Sequence, residues 1–222
     1  MAKHLQDEGL HVGRAKARRL MNQAGVAVPR PRRRGPLTTD SRHGYQVAPN
    51  LLARPLDVTA PAHVWAGAIP SRWTVEGWRY LSVLVDLSSR NGVGGALNHQ
   101  MEPTWVQDAL PMGLGRRSPS AGLMHHSDRG SQYASHAYQA MLADQGIVCR
   151  MRETGACLDN AVAERCFGRL KREWTSHGYY ATRQEARDDS IDDIEMFYNC
   201  RRKHSYLGYV RPNTDAQCAL VT

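Results

Sequence analysis

His125-His126-Ser127-Asp128-Arg129-Gly130-Ser131-Gln132-Tyr133 and, further along, Asp159-Asn160-Ala161-Val162-Ala163-Glu164-Arg165 are the two stretches that decide the fold. The first puts an acidic residue in a glycine-containing turn after a short strand-like run. The second puts Glu164 one turn into a helix for which Asp159 is a suitable N-cap. Thirty-five residues lie between Asp128 and Glu164. Two carboxylates placed this way can share a divalent cation, because Mg²⁺ takes oxygen ligands, keeps several waters and needs few protein groups. An Asp and a Glu at that separation occur in almost any chain, so the flanking residues must carry the argument.

Working outward, Leu123 to His126 reads as a short strand running into the Asp128 turn. Ser135 to Asp144 reads as a helix stopped by Gly146, and Ile147 to Arg150 as another strand. Upstream, Val64 to Ile69 and Trp78 to Leu87 are strand-like, with Glu76-Gly77 as the turn between them. Val93 to Leu97 is a third strand weakened by Gly94 and Gly95. Pro70-Ser71-Arg72 is expected to disturb the first strand, and Pro111 to end or kink a helix running from Pro103 to Leu114. From Asp159 the pattern is helical, with Ala163, Phe167, Leu170 and Trp174 on one apolar stripe and Arg165, Arg169 and Arg172 on another. Glu164 and Lys171 share a line between these stripes, beside the packed face. A last helix, Arg183 to Tyr198, precedes Arg201-Arg202-Lys203-His204. Strands alternating with helices indicate an α/β sandwich around a mixed sheet.

The charge is uneven. The chain has 222 residues and a net charge of +8. Residues 1–46 hold ten Lys/Arg against three Asp/Glu, so nearly all the excess is N-terminal, around Arg30, Arg32, Arg33 and Arg34. A basic arm on a near-neutral body suits an anionic polymer, although a solvated tail would carry the same charge. Two short basic helices are expected between Lys3 and Ala24, broken near Gly9–Gly13, followed by a proline-rich linker. Five scattered cysteines with no C-x-x-C pair suit a reducing cytosol. No apolar run is long enough for a membrane span, and the first 20 residues lack a signal-peptide core, so a cytoplasmic protein is expected.

With these neighbours the sequence resembles bacterial insertion-sequence transposases whose catalytic core is retroviral-integrase-like. The resemblance extends along most of the chain. Val12-Gly13-Arg14, Arg18-Arg19-Leu20-Met21 and Ala24-Gly25 are similar to the end of that family's N-terminal DNA-binding region. Ala48-Pro49-Asn50-Leu51-Leu52 and Pro61 through Trp65 resemble its linker and the approach to the core, and Trp73 to Arg90 its first hairpin. His125 to Tyr133 and Asp159 to Lys171 match the second and third catalytic motifs. Tyr198-Asn199, Arg201-Arg202, His204-Ser205, Leu207-Gly208-Tyr209 and Pro212 fit the C-terminal signature. The resemblance implies a ribonuclease-H-like fold: a mixed five-stranded sheet with helices on both faces, preceded by a partial N-terminal helical basic arm. The implied boundaries are residues 1–28 for that arm, 29–58 for the linker and 59–222 for the core with its basic tail.

It also implies DNA cleavage and strand transfer by two-metal phosphoryl transfer using Mg²⁺ or Mn²⁺, on double-stranded DNA and as a homo-oligomer. No covalent protein–DNA intermediate or nucleotide cofactor is expected. Asp128 and Glu164 become the metal-binding catalytic residues. Lys171, Arg172, Arg201, Arg202, Lys203, Arg32, Arg33 and Arg34 become candidate DNA contacts. His125 and His126 are expected to structure the turn rather than bind Mg²⁺.

One position departs from the pattern. The family carries its first catalytic Asp three residues after the Trp that begins the core, and here Trp65 is followed at that distance by Ala68. The Trp65-to-Trp78 spacing fits the family without a gap. Position 68 is expected opposite about position 82, leaving Asp86 four residues farther along and out of reach. Ala68 implies weakened metal binding and an impaired enzyme. With Pro70 and Pro111 it suggests a decayed copy, or a non-catalytic DNA-binding relic able to interfere with an intact transposase.

Overall fold

In a computed structural model of the chain, the structure describes residues 1–26, 43–45, 48, 58, 60–100, 105–119, 121–151 and 180–221. Two compact units divide at Pro31. The first holds α1 (Ala2–Asp7) and α2 (Arg14–Gln23). The expected break between them is present: Gly9 takes φ +85° and Gly13 caps α2.

The second unit is built on a mixed sheet. β1 (Val64–Ala68) pairs antiparallel with β3 (Gly77–Asp86), from Trp65↔Asp86 to Ala68↔Val83. β2 (Ser71–Thr74) pairs with the same strand, from Ser71↔Tyr80 to Thr74↔Gly77. The two runs share one register, so β1 and β2 form a single strand line interrupted at Ile69-Pro70. Proline has no N–H to give the ladder, but the Pro70 carbonyl accepts a hydrogen bond from Leu81 N at 2.9 Å. The expected disruption at Pro70-Ser71-Arg72 therefore does not occur; the chain resumes in step. β4 (Gly92–Asn98) covers the other edge of β3. β5 (Met124–Ser127) runs parallel to β1, and β6 (Val148–Met151) parallel to β5. Six strands thus fill the five positions expected, in the order β4, β3, β1 with β2, β5, β6.

Helices cover both faces. On one, Trp65, Leu84, Tyr138, Leu142 and Met151 join a core that includes Ala109 and Leu110 of α3 (Ala109–Arg117). Tyr138 and Leu142 come from α5 (His136–Asp144), whose N-cap Ser135 accepts from Tyr138 N. On the other face, Ala68, Leu81, Val83 and Val85 meet Ile194 and Tyr198. Those two residues lie in a π-helical turn, Asp193–Tyr198, that continues α6 (Arg183–Asp192). Each fully buried large apolar side chain contributes roughly 1.5–3 kcal/mol.

Pro111 does not break α3. A 3-10 turn, Trp105–Asp108, precedes Ala109, so Pro111 stands in the first α-helical turn, where a missing N–H costs nothing. The glycines of β4 likewise have a reason in the packing: a Cβ on Gly94 would lie 2.2 Å from the Ala109 carbonyl oxygen. Arg72 ties α6 to the sheet. Its side chain is 1% exposed and bonds Asp189 and Asp193, one turn apart, as well as the Tyr180 hydroxyl at 2.6 Å. Among the described residues no helix is long and apolar enough to cross a membrane.

Gly94→Ala tests the β4–α3 contact. Because backbone rather than a mobile side chain stands in the way, the substitution should cost about 1–3 kcal/mol in urea unfolding; Gly115→Ala in the open part of α3 should cost nothing measurable.

Candidate active site

The register between β1 and β5 runs Val64↔Met124, Trp65↔His125 and Ala66↔His126. Continued by two residues, it sets position 68 level with position 128 on the neighbouring strand. Asp128 lies just beyond the end of β5, half-buried, with Oδ1 accepting from Gly130 N at 2.9 Å. That bond closes the turn into α4 (Ser131–Ala134). His43 Nε2 donates to the Arg129 carbonyl at 2.8 Å, and Tyr45 packs edge-on against His136. Part of the segment read as linker is therefore laid against the Asp128 turn.

Behind the turn is a buried aromatic support. His125 is fully buried and shares a hydrogen bond with the Tyr138 hydroxyl at 3.0 Å. Burial first, and then the adjacent His126, lowers its pKa to about 3, so the ring is neutral. Tyr133, at the far side of the turn, packs against both His125 and Tyr138. Its hydroxyl lies 2.9 Å from where a Cβ on Gly67 would be, and only glycine gives it that room. His125 and His126 are both buried. The parts that sequence reasoning missed are Gly67, Tyr133, Tyr138 and Arg72. A glycine inside an otherwise apolar strand was the available signal, since it marks close approach of another group.

Ala68 is 5% exposed and packed among Leu81, Val83, Val85, Ile194 and Tyr198. A methyl group has no lone pair for a cation. It lies opposite Val83 rather than position 82. Asp86 pairs with Trp65, three residues back along β1, about 10 Å at ~3.3 Å per residue. Side chains alternate along a strand, so Asp86 also belongs to the opposite face from Ala68. Its carboxylate is already committed, accepting from the backbone N of Ala62, Ser88 and Ser89. It cannot replace the missing group. Among the described residues no three His, Cys, Asp or Glu side chains converge as a metal site. Glu164 lies outside the described residues, as do Lys171, Arg172, Arg32, Arg33 and Arg34.

The C-terminal basic cluster follows the π-helical turn Asp193–Tyr198. The Asn199 amide spans Gly92, accepting from its N at 2.8 Å and donating to its O at 3.0 Å. Asn91 Nδ2 donates to Asn213 Oδ1 at 2.6 Å. These bonds clamp the tail to the β3–β4 turn and the start of β4. Arg201 is exposed. Arg202 is half-buried, with Nη1 2.5 Å from His204 Nε2 and its guanidinium 5.4 Å from the centre of the Tyr198 ring. Lys203 is half-buried.

Residues 58–157 match a family model described as Integrase core domain, and residues 145–212 match a second with the same description. The Insertion element IS600 uncharacterized 31 kDa protein of Shigella sonnei is 38% identical over 208 residues, covering 94% of this chain and 76% of that one. The transposase for insertion sequence element IS904 of Lactococcus lactis subsp. lactis is 38% identical over 164 residues, covering 74% of this chain and 65% of that one. The chain belongs to the integrase-core family of insertion-sequence transposases. A solved structure, the catalytic core domain of BIV integrase, aligns with TM-score 0.50 at 18% identity, covering 72% of this chain and 97% of that one. This likeness bears out the α/β, ribonuclease-H-like architecture. Against IS904 the chain spans just under two thirds of the relative's length.

The buried neutral His125 generates a pH dependence. Its pKa is near 6.5 unfolded and about 3 folded, so below pH 6.5 the unfolded chain binds the extra proton. Stability is then fully present above about pH 6.5 and lost as the pH falls toward 3, by at most ~1.4 kcal/mol per pH unit. Thermal unfolding between about pH 7 and 4 should show a falling midpoint, with a flatter profile for His125→Gln.

Proposed function

We propose that this chain is an insertion-sequence transposase copy that retains the DNA-binding fold but has little or no strand-transfer activity. The observation that carries the reading is the placement of Ala68, buried on β1 and level with Asp128 just beyond β5. In-line attack at a DNA phosphate needs the attacking oxygen deprotonated and the leaving 3′ oxygen stabilised, which a pair of divalent cations supplies where carboxylates converge. Asp128 and Glu164 are the two carboxylates proposed to take Mg²⁺ or Mn²⁺. The residue at position 68 does not fit such a site, since it offers neither charge nor lone pair, and metal binding is correspondingly weakened.

The rest of the site supports this reading as a single local loss. Pro70 and Pro111, which in sequence suggest wider decay, are both accommodated without breaking their elements. The proposed partners are double-stranded DNA at element ends and targets, and further copies of the same chain. Arg32, Arg33, Arg34, Lys171 and Arg172 are proposed phosphate contacts. Arg201 is the most exposed of the tail cluster; Arg202 is turned toward its own aromatic neighbours. A second reading follows from the same alanine: a chain that folds and binds DNA without cutting it can act as a non-catalytic relic, blocking an intact transposase by occupying its ends or its oligomers.

Ala68→Asp separates the two readings. In an Mg²⁺ or Mn²⁺ strand-transfer assay, the substitution should raise joining by at least about a hundredfold, or ~2.7 kcal/mol of barrier. Asp128→Asn in that background should remove the gain. Robust joining by the unaltered chain would overturn the impaired-enzyme proposal.

A further inference from the structure

Three arginines meet at the edge of the sheet away from Asp128. Arg79 of β3 and Arg187 of α6 line a groove of about 320 Å³ floored by Gly92, Gly94 and Gly95 of β4. Arg183, the first residue of α6, places Nη2 3.2 Å from the position of a Cβ on Gly77. The groove also holds Arg116, but that charge is paired with Glu195 at 2.5 Å. Among the described residues no carboxylate pairs with Arg79, Arg183 or Arg187.

Two observations make this more than a solvated basic face. The Nε atoms of Arg79 and Arg183 are buried without a hydrogen-bond partner, and an unmatched buried donor costs roughly 1–3 kcal/mol. Burial, and then the like charges of Arg187 and Arg183, push the Arg79 pKa down. An oxyanion accepts from the guanidinium N–H groups that face the groove and screens the like charges. The end of α6 is not itself the attraction, because Glu76 Oε2 already accepts from Arg183 N at 2.8 Å.

We propose that Arg79, Arg183 and Arg187 form a binding site for a phosphate-class oxyanion, occupied in use by a backbone phosphate of duplex DNA. The oxyanion site stands on the arginines; the choice of DNA as its source rests on the proposed function. β4 lies three strand positions from β5, roughly 14 Å at ~4.8 Å per strand. The site is therefore a separate hold on the duplex, not part of the Asp128 centre.

The test uses the full chain, Arg79→Gln/Arg187→Gln and the single Arg187→Gln on an exposed helix position, each checked for unaltered far-UV circular dichroism. Duplex DNA binding is followed by fluorescence anisotropy between about 50 and 200 mM salt. The slope of log affinity against log salt should become shallower by roughly 2 in the double variant and roughly 1 in the single. In the second arm, inorganic phosphate should raise the thermal midpoint of the unaltered chain over chloride at equal ionic strength, and not that of the variants. A phosphate response lost in the variants with an unchanged DNA slope would overturn DNA as the occupant. No change in either arm would overturn the site. A chain that binds no duplex at all would sink the proposed function and the DNA assignment together, and the phosphate arm alone would then decide the oxyanion site.

Discussion

Trp65 and His125 lie side by side on neighbouring parallel strands, both fully buried, and their pairing sets the register on which the other placements depend. From it follows the alignment of position 68 with position 128. The contact is held from beneath by Tyr138, bonded to His125, and by Tyr133, which reaches under β1 only because residue 67 has no side chain. A one-residue slip of β1 would turn every side chain to the other face. The aromatic support makes such a slip costly, since it would drive a Cβ into the Tyr133 hydroxyl.

The same economy governs the far face. Arg72 would be an expensive residue to bury alone. It is tolerated because Asp189 of α6, Asp193 of the π-helical turn and a tyrosine hydroxyl accept from its two terminal nitrogens. That network draws α6 onto the sheet and brings Ile194 and Tyr198 over Ala68. At the other end of α6, Asn199 grips Gly92 with both halves of its amide. The C-terminal motif, which resembles a DNA-contacting signature in sequence, includes residues whose side chains are spent inside the protein. The guanidiniums near the β4 edge are the opposite case, positive charge that no carboxylate among the described residues pairs.

Much of this was legible beforehand. β1, β3, β5, α5 and β6 came from local periodicity and from punctuation such as Ser135 and Gly146, where the deciding contacts lie within a few residues. Asp128 could be placed at a strand end because the glycine turn follows it immediately. The two proline readings differ from the structure for one reason. Pro70 and Pro111 read as breaks because a proline's local cost is visible in sequence, while its remedy is not: a carbonyl bonded across the hairpin in one case, a preceding 3-10 turn in the other. The register opposite Ala68 differs by one because Trp73 and Thr74 join the ladder on one side and only Gly77 on the other, leaving Val75-Glu76 as the turn.

The amino-acid sequence by itself determined the family, the order of strands and helices, the neutral body with its basic arm, and the absence of a carboxylate at position 68. These are properties of residue identity and short-range spacing, so they need no coordinates. Only the tertiary structure decided that Ala68 stands level with Asp128, that Asp86 belongs to the other face, and that Arg72 meets two carboxylates while Arg79, Arg183 and Arg187 meet none among the described residues. Each of those depends on which strand lies beside which and on helices more than 100 residues away in the chain, where the pairing energy is set by register and burial rather than by neighbours in sequence.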